Sequence, residues 1–273
     1  MPGFSGYDDF IYEATTAGKV LDWDFYKVAP ANAEAAGVWQ TLWKAVGSPG
    51  AGADPATTPG TARTDAVGSI NFANQTPDFK YLVQLDIMAN QNCTVMLYDR
   101  LVDVAGVTLN STGNKTIAST TLPRYAGNTF SNPVQAWLEV TTATTVTAPI
   151  LSMNSYTAGD GSSGNAGGSV TFPAVATDLH SAIRLPETAG KQGVQACSTI
   201  NVATAASAGA ATFVLLRRLV TVPLIANQAN KINMFLDFPP PQRVFDGASL
   251  GLYLLASGAN TTTVWGSVSL VYG

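Results

Sequence analysis

The strongest constraint on the fold of this 273-residue chain is a diverged internal repeat. Residues 94–102 align with residues 212–220, and both stretches end in arginine, an aliphatic residue and valine. The separation is 118 positions from Arg100 to Arg218 and 116 positions from Tyr156 to Tyr272. A unit of this length exceeds the roughly 20–50 residues of a solenoid repeat and is the size of a domain. The sequence therefore predicts two related units.

Strand signals fill most of the chain after residue 68. Apolar runs rich in Val, Ile, Leu, Thr and Tyr, such as residues 81–87 and 135–140, alternate with Gly, Asn, Ser and Pro. Many short strands without intervening helices are typical of antiparallel sandwiches and jelly rolls. We therefore expect an all-β fold with two tandem, related, jelly-roll-like β-sandwich domains over residues 69–160 and 168–273. The Gly/Ser-rich stretch between them resembles a linker.

Residues 1–68 differ from the rest and predict an extended N-terminal arm. Residues 31–36 could begin a short helix, with apolar residues at helical spacing from Val38 to Val46. Residues 47–50, Gly-Ser-Pro-Gly, would stop it. The following Gly, Ala, Pro and Thr residues, up to residue 68, predict a flexible linker.

The arm is rich in aromatic residues and has no evident core of its own. Such side chains are expected to pack on another surface, which is either the body of the same chain or a neighbouring subunit. The candidates for binding a partner are Phe4, Phe10, Trp23, Phe25, Trp39 and Trp43.

The surface must be built largely from uncharged polar groups. Charged residues make up 12% of the chain and the net charge is −4, whereas about 25% is usual. Uncharged polar groups cost less to bury, which suits a protein packed against neighbours. No basic cluster favours nucleic acid, and no apolar run approaches the roughly 20 residues that span a membrane. Because the N-terminus lacks a secretory signal pattern, we expect synthesis and folding in a host cytoplasm.

The sequence does not favour catalysis. His180 is the single histidine and has no metal-ligand or triad partners at useful spacing. The acidic pairs Asp8–Asp9 and Asp22 with Asp24 could bind calcium or perform glycosidase chemistry, but they lie in the arm, and solvated or inter-subunit contacts are the simpler interpretation. We expect no enzyme activity, no cofactor and no metal.

Two cysteines, Cys93 and Cys197, lie in strand-like apolar surroundings. Their number permits a disulfide. In an intracellular product, however, two such cysteines are more often buried free thiols, which is what we expect.

Charged residues recur beside the two aligned strands of the repeat. Asp99 and Arg100 in the first unit, and Arg217 and Arg218 in the second, are predicted to fix strand ends. Asp99 next to Arg100 suggests either a partly buried ion pair or a bidentate arginine–carboxylate contact. Recurrence in both units favours a role in the fold, because catalytic residues are usually asymmetric between duplicated domains.

Residues 97–101, 122–125 and 136–140 resemble a family of tailed-bacteriophage virion proteins that are encoded near the major capsid gene. The resemblance extends over most of the chain, including residues 47–52 and 217–219. It implies a structural component of the phage head, of the decoration (cement) or minor capsid type, and it fixes no binding residues.

The leading functional hypothesis is therefore a decoration protein on the surface of a phage head. Its expected partners are the major capsid protein and further copies of itself, as a homotrimer. One alternative is a shell protein with tandem jelly rolls. The other is a carbohydrate-binding module associated with a tail or fibre, with Trp137, Tyr253 and Trp265 as candidates for stacking on sugars.

Overall fold

The computed structural model describes residues 3–29, 36–53, 55, 60–118, 121–125, 133–144, 147–172, 179–233, 242–258 and 261–273. The fold is all-β, as predicted, with one short helix in the described residues. The elements are α1 (Tyr7–Thr15), β1 (Val20–Val28), β2 (Trp39–Thr41), β3 (Val46–Ser48), β4 (Thr61–Ala62), β5 (Lys80–Ala89), β6 (Cys93–Thr108), β7 (Gly113–Thr116), β8 (Val134–Thr142), β9 (Ile150–Ala158), β10 (Val170–Thr171), β11 (Ser181–Arg184), β12 (Val194–Thr204), β13 (Ala210–Leu224), β14 (Asn230–Asn233), β15 (Arg243–Val244), β16 (Leu250–Ala256) and β17 (Thr263–Tyr272).

Six strands close into a central barrel. The order is β13-β8-β11-β2-β16-β6, and β6 pairs again with β13 to complete the ring, with β4 added outside β6. Tyr98, Trp137 and Tyr253 pack together among the buried residues of this barrel. Gly251 lies opposite Tyr98, and a Cβ at this glycine would come within 2.7 Å of the Tyr98 ring. The glycine therefore leaves room for the ring.

Two outer sheets cover the barrel. The first outer sheet has the order β14-β5-β17-β1-β3, with β15 also pairing with β5. It packs Leu85 and Val268 against Leu97 and Leu252 of the barrel strands. The second outer sheet has the order β10-β9-β12-β7 and forms the other large core. Both cores follow from strand alternation, which sends successive side chains to opposite faces.

The two halves of the repeat interleave. In the barrel, β8 of the first half pairs with β13 of the second, and β16 of the second half pairs with β6 of the first. In the outer sheets, β9 of the first half pairs with β12 of the second, and β17 of the second half pairs with β5 of the first. Among the described strands, no pair joins two strands of residues 69–160, and none joins two of residues 168–273. The tandem arrangement of two sandwich or jelly-roll domains is therefore not confirmed. Each outer sheet and the barrel contain strands of both halves.

The N-terminal section is part of the sheets rather than an extended arm. Strand β1 pairs along its whole length with β17, and β2 lies between β11 and β16 in the barrel. The predicted helix is wrong where the structure describes it, because residues 39–41 and 46–48 are strands. Residues 31–35 lie outside the described residues. The apolar residues have helical spacing, but the segment forms a strand because its backbone pairs with β11 and β16 on either side.

The helix lies instead at Tyr7–Thr15. Asp9 in its first turn accepts hydrogen bonds from the amide and the hydroxyl of Ser5 at 2.9 and 3.1 Å. A carboxylate here also interacts favourably with the positive end of the helix dipole. None of the nine helical residues is buried, so the helix lies on the surface near the end of β17.

Candidate functional site

Arg100 forms the centre of a buried ionic cluster in the barrel wall. Its Nη1 and Nη2 each donate to a Glu139 carboxylate oxygen at 2.8 Å. Its Nε donates to Asp103 at 2.7 Å, and its guanidinium lies 4.7 Å from the centre of the Trp43 ring. The Tyr253 hydroxyl donates to Glu139 at 2.7 Å. The bidentate contact that the sequence suggested is therefore present, with Glu139 as the carboxylate.

Asp99 and Arg100 do not pair with each other. Asp99 accepts two hydrogen bonds from Arg124, at 3.0 Å from Nε and 2.8 Å from Nη2. It also accepts one from the Ser249 amide at 3.0 Å. Adjacent residues on a strand point to opposite faces, so neighbours in sequence find different partners.

The arginine pair of the second half has a different environment. Arg217 is buried and donates to the Gln242 side chain at 2.7 Å and to the Arg243 carbonyl at 3.0 Å, whereas Arg218 is exposed. The prediction that these charges and those of Asp99 and Arg100 fix strand ends is wrong in one respect. All four lie inside β6 and β13, which run for 16 and 15 residues.

The ionic cluster keeps its charges through mutual contacts. Burial alone would raise the pKa of Glu139, but the Arg100 guanidinium and the Tyr253 hydroxyl hold it below its usual range. Burial opposes the charge of Arg100 as well, and Glu139 with Asp103 raises the pKa of that guanidinium. Such an arrangement suits a structural ion network better than acid–base chemistry, because neither group can exchange a proton near neutral pH.

A small cavity of about 70 Å³ opens beside this cluster. Its lining includes Lys44, Arg100, Glu139, His180 and Thr212. His180 has a left-handed backbone (φ 72°), and its amide and carbonyl continue the barrel hydrogen bonds, to Val140 O and from Thr41 N, at 2.9 Å each. The cavity holds about two waters by volume.

The structure places the six predicted partner-binding aromatics in unlike positions. Phe25 and Trp43 are 3% and 1% exposed and belong to the chain's own interior, so they are not available to a partner. Phe4, Phe10 and Trp39 are half-buried; Phe4 packs against Phe10 and Tyr81, and Trp39 against Trp137. Trp23 is exposed.

Other residues of the N-terminal section carry the exposed apolar surface. The described part of the chain exposes nine large apolar side chains, and seven of them lie before residue 50. We call these seven the N-terminal surface: Tyr7, Ile11, Tyr12, Val20, Trp23, Tyr26 and Val46. Exposed apolar groups that lie together mark contact surfaces, and two of the seven, Val20 and Tyr26, share one face of β1, whereas Trp23 lies on the other face. Alternation along β1 was the signal in the sequence, since it places Val20 and Tyr26 on the face opposite to Phe25.

The N-terminal surface includes an open strand edge. Residues 20–25 of β1 pair with β17 on one side, and β3 covers only residues 26–28 on the other. Among the described residues, no strand pairs with the remaining edge. Unpaired edges bind additional strands unless they are protected.

The accessible charge around this edge is negative. Asp8, Asp22 and Asp24 are exposed, and Asp9 is half-buried. Two lysines of this section do not offset them. Lys19, between α1 and β1, pairs with Glu13 and Asp78 at 3.1 and 3.2 Å, and Lys27 of β1 is buried. The surface is therefore both apolar and acidic.

The three candidates for stacking on sugars differ in how far they are buried. Trp137 and Tyr253 are 3% and 0% exposed and cannot reach an external sugar. Trp265 is half-buried and lies directly beside Tyr26 on the first outer sheet. One aromatic pair therefore lies on an outer face.

Cys93 and Cys197 are both buried and unbonded, and burial raises the pKa of Cys197 to about 12. The described residues contain no group of three or more His, Cys, Asp or Glu placed to hold a metal ion. No helix in the same residues is long and apolar enough to cross a membrane.

No protein family, curated protein or solved structure matches this chain.

Proposed function

We propose that this chain is a structural virion protein that decorates the surface of a phage head and binds the major capsid protein through its N-terminal surface. The observation that carries the proposal is the concentration of exposed apolar side chains: seven of the nine in the described residues lie before residue 50. A helix with no buried residue and an open edge on β1 support it. The remaining body is a rigid barrel between two sheets.

The charge of the edge indicates which kind of strand it accepts. Asp22 and Asp24 lie within the open part of β1. Pairing with β1 of a second copy would bring these carboxylates close to their equivalents, which is destabilising. A strand of the capsid protein with Lys or Arg at alternate positions would be complementary.

Copies of the protein would contact each other elsewhere, as a homotrimer at local three-fold axes of the head. The protein would be made in the host cytoplasm and reside on the outside of the head. The two halves would derive from one jelly-roll-like unit, duplicated and then interleaved. The alternative of a shell protein with tandem jelly rolls is less compatible with sheets in which no described strand pair lies within residues 69–160 or within residues 168–273.

The test changes the surface without changing the core. A Tyr7→Ser/Tyr12→Ser variant removes two side chains that are 52% and 54% exposed. We expect it to fold with an unchanged unfolding midpoint and to be lost from particles. Ile225→Ser is the matched control, because Ile225 is 62% exposed outside this surface. Full incorporation of the tyrosine variant, or equal loss of the control, contradicts the proposed surface.

Electron microscopy of the parent particle tests the location. A decoration protein should give discrete density in hundreds of copies on the head. A continuous shell of this chain would favour the shell protein, and a few copies on the tail would favour the sugar-binding module.

The sugar-binding module is a second candidate because of Trp265 and Tyr26, which are neighbours on one sheet face. Aromatic rings of this kind can stack on the apolar faces of sugars, and Asp24 lies two residues from Tyr26 along β1. Quenching of tryptophan fluorescence by an oligosaccharide, abolished in Trp265→Ala, would favour this function over capsid decoration.

A further inference from the structure

A second cleft, of about 320 Å³, lies at the end of the first outer sheet, lined by residues 76–80, by Pro123 and Arg124, and by residues 243–246. Its wall includes three cations, Lys80, Arg124 and Arg243, and two acids, Asp78 and Asp246. The volume is at the lower end of the range of small-molecule sites. The ligand that the cleft can bind depends on which of these side chains has no partner of opposite charge.

Two of the three cations, Arg124 and Lys80, have a carboxylate partner. Arg124 makes its two hydrogen bonds to Asp99. Lys80 is 1% exposed and contacts Asp246 at 2.9 Å, and its ammonium also donates to the carbonyls of Phe72 and Ala73 at 3.4 and 3.0 Å. Each of these two cations therefore has a carboxylate partner within the protein.

Arg243 differs from them. Its guanidinium carbon lies 3.4 Å from the centre of the Phe79 ring and 4.1 Å from the centre of the Phe245 ring. Its Nε is buried and has no hydrogen-bond partner, and no carboxylate pairs with it among the described residues. A buried donor without an acceptor is costly, and cations between aromatic rings are held in a defined position.

The acids of the cleft limit the charge of a ligand. The Asp246 carboxylate accepts hydrogen bonds from the Thr76 hydroxyl at 2.6 Å and from the Gln75 amide at 3.1 Å. Burial opposes its charge, but these two hydrogen bonds and the nearby Lys80 ammonium together lower its pKa. It therefore remains an anion at neutral pH. A ligand with two negative charges, such as phosphate, would be repelled more strongly than a singly charged one.

We propose that the cleft binds a carboxylate, with the guanidinium of Arg243 as its main contact. The planar guanidinium presents a fork of donors that matches a carboxylate. Phe79 and Phe245 hold the fork in place before the ligand arrives, which reduces the entropic cost of binding. The ligand is a small organic acid or the acidic side chain of a neighbouring chain.

The test uses ¹⁵N-labelled full-length protein and follows the Nε–H resonance of Arg243, assigned by its loss in Arg243→Lys. Acetate, an acidic tripeptide with blocked ends and inorganic phosphate are titrated at constant ionic strength, to about 100 mM, well above the millimolar Kd of a weak site. We expect a saturable shift with acetate or the tripeptide and weaker binding of phosphate. Tighter binding of the tripeptide indicates a neighbouring chain, and tighter binding of acetate a free acid.

Two variants distinguish binding from a structural effect. In Arg243→Gln, amide shifts at Val244 and Asp246 report on the cleft, and we expect about tenfold weaker carboxylate binding or more. Arg184→Gln is the control, because Arg184 pairs with Glu187 on the surface, remote from the cleft. No saturable shift, tighter binding of phosphate than of acetate, or unchanged affinity in Arg243→Gln would overturn the proposal.

Discussion

Replacing Lys27 with methionine removes a cation that the fold holds away from water. Lys27 is 3% exposed, and its ammonium donates to the carbonyls of Ala45 and Gly50 in hydrogen bonds of 3.3 and 3.2 Å. Burial lowers its pKa from 10.5 to about 8. The unfolded chain therefore binds more protons than the folded protein between these values, and the wild type gains stability as the pH rises through this window.

The magnitude follows from the shift. The shift from 10.5 to about 8 corresponds to a cost of about 3 kcal/mol at pH 7, falling by about 2 kcal/mol by pH 9.5. Water near the ammonium screens part of this cost, so we expect a change of about 1 kcal/mol over that range. At pH 7 the Lys27→Met variant should be more stable than the wild type by roughly 1 kcal/mol, since loss of two hydrogen bonds to carbonyls offsets part of the gain.

The assay is urea unfolding of both proteins at half-unit steps from pH 7 to 9.5. The wild type alone is a poor reporter, because Cys197, whose pKa burial raises to about 12, destabilises the fold as the unfolded thiol ionises above about pH 8.5. The difference between variant and wild type cancels this contribution. We expect the difference to decrease steadily as the pH rises. A difference that is constant over the range would refute the argument that Lys27 is buried as a costly cation.

Three further perturbations test the fold. Gly47→Ala should destabilise by about 2 kcal/mol or more, since φ is 141° and a Cβ would lie 1.8 Å from a carbonyl oxygen of β1, while Gly50→Ala, with open space around it, should change the unfolding midpoint little. Arg100→Met should cost about 3–5 kcal/mol by leaving buried carboxylates unpaired, against less than about 1 kcal/mol for Arg184→Met on the surface; equal effects would contradict the buried network. Residues 168–273 expressed alone should show no cooperative unfolding by circular dichroism, because their strands pair with other parts of the chain, and a cooperative transition would show that this half folds independently.

The class of fold was predictable because it depends on local pattern. Apolar runs such as residues 81–87 and 135–140 are typical of strands, and both segments lie in strands. Strand alternation in β1 separates buried Phe25 from exposed Tyr26, although the sequence analysis grouped Phe25 with the partner-binding aromatics. Alternation and composition were sufficient to predict these strands and, in β1, to distinguish the buried Phe25 from the exposed Tyr26.

The helix and the ionic cluster were harder to predict. Trp39 and Trp43 have helical spacing, yet their segment completes the barrel, and pairing between distant strands outweighs local propensity. Glu139, the carboxylate that accepts from Arg100, lies 39 positions away in sequence, with nothing nearby to indicate that the two would meet. A sequence identifies a charge that needs a partner but does not identify the partner.

The repeat shows where this limit lies. Because Arg100 and Arg218 are equivalent in the sequence repeat, their strands should have equivalent neighbours. Strands β6 and β13 do pair with each other, and this pairing closes the barrel. It does not specify whether each strand pairs within its own copy or with the other copy, because both arrangements preserve the same spacing and the same buried faces. Interleaving makes every core depend on both halves. The stability of either half therefore depends on the other, as it does in an obligate dimer.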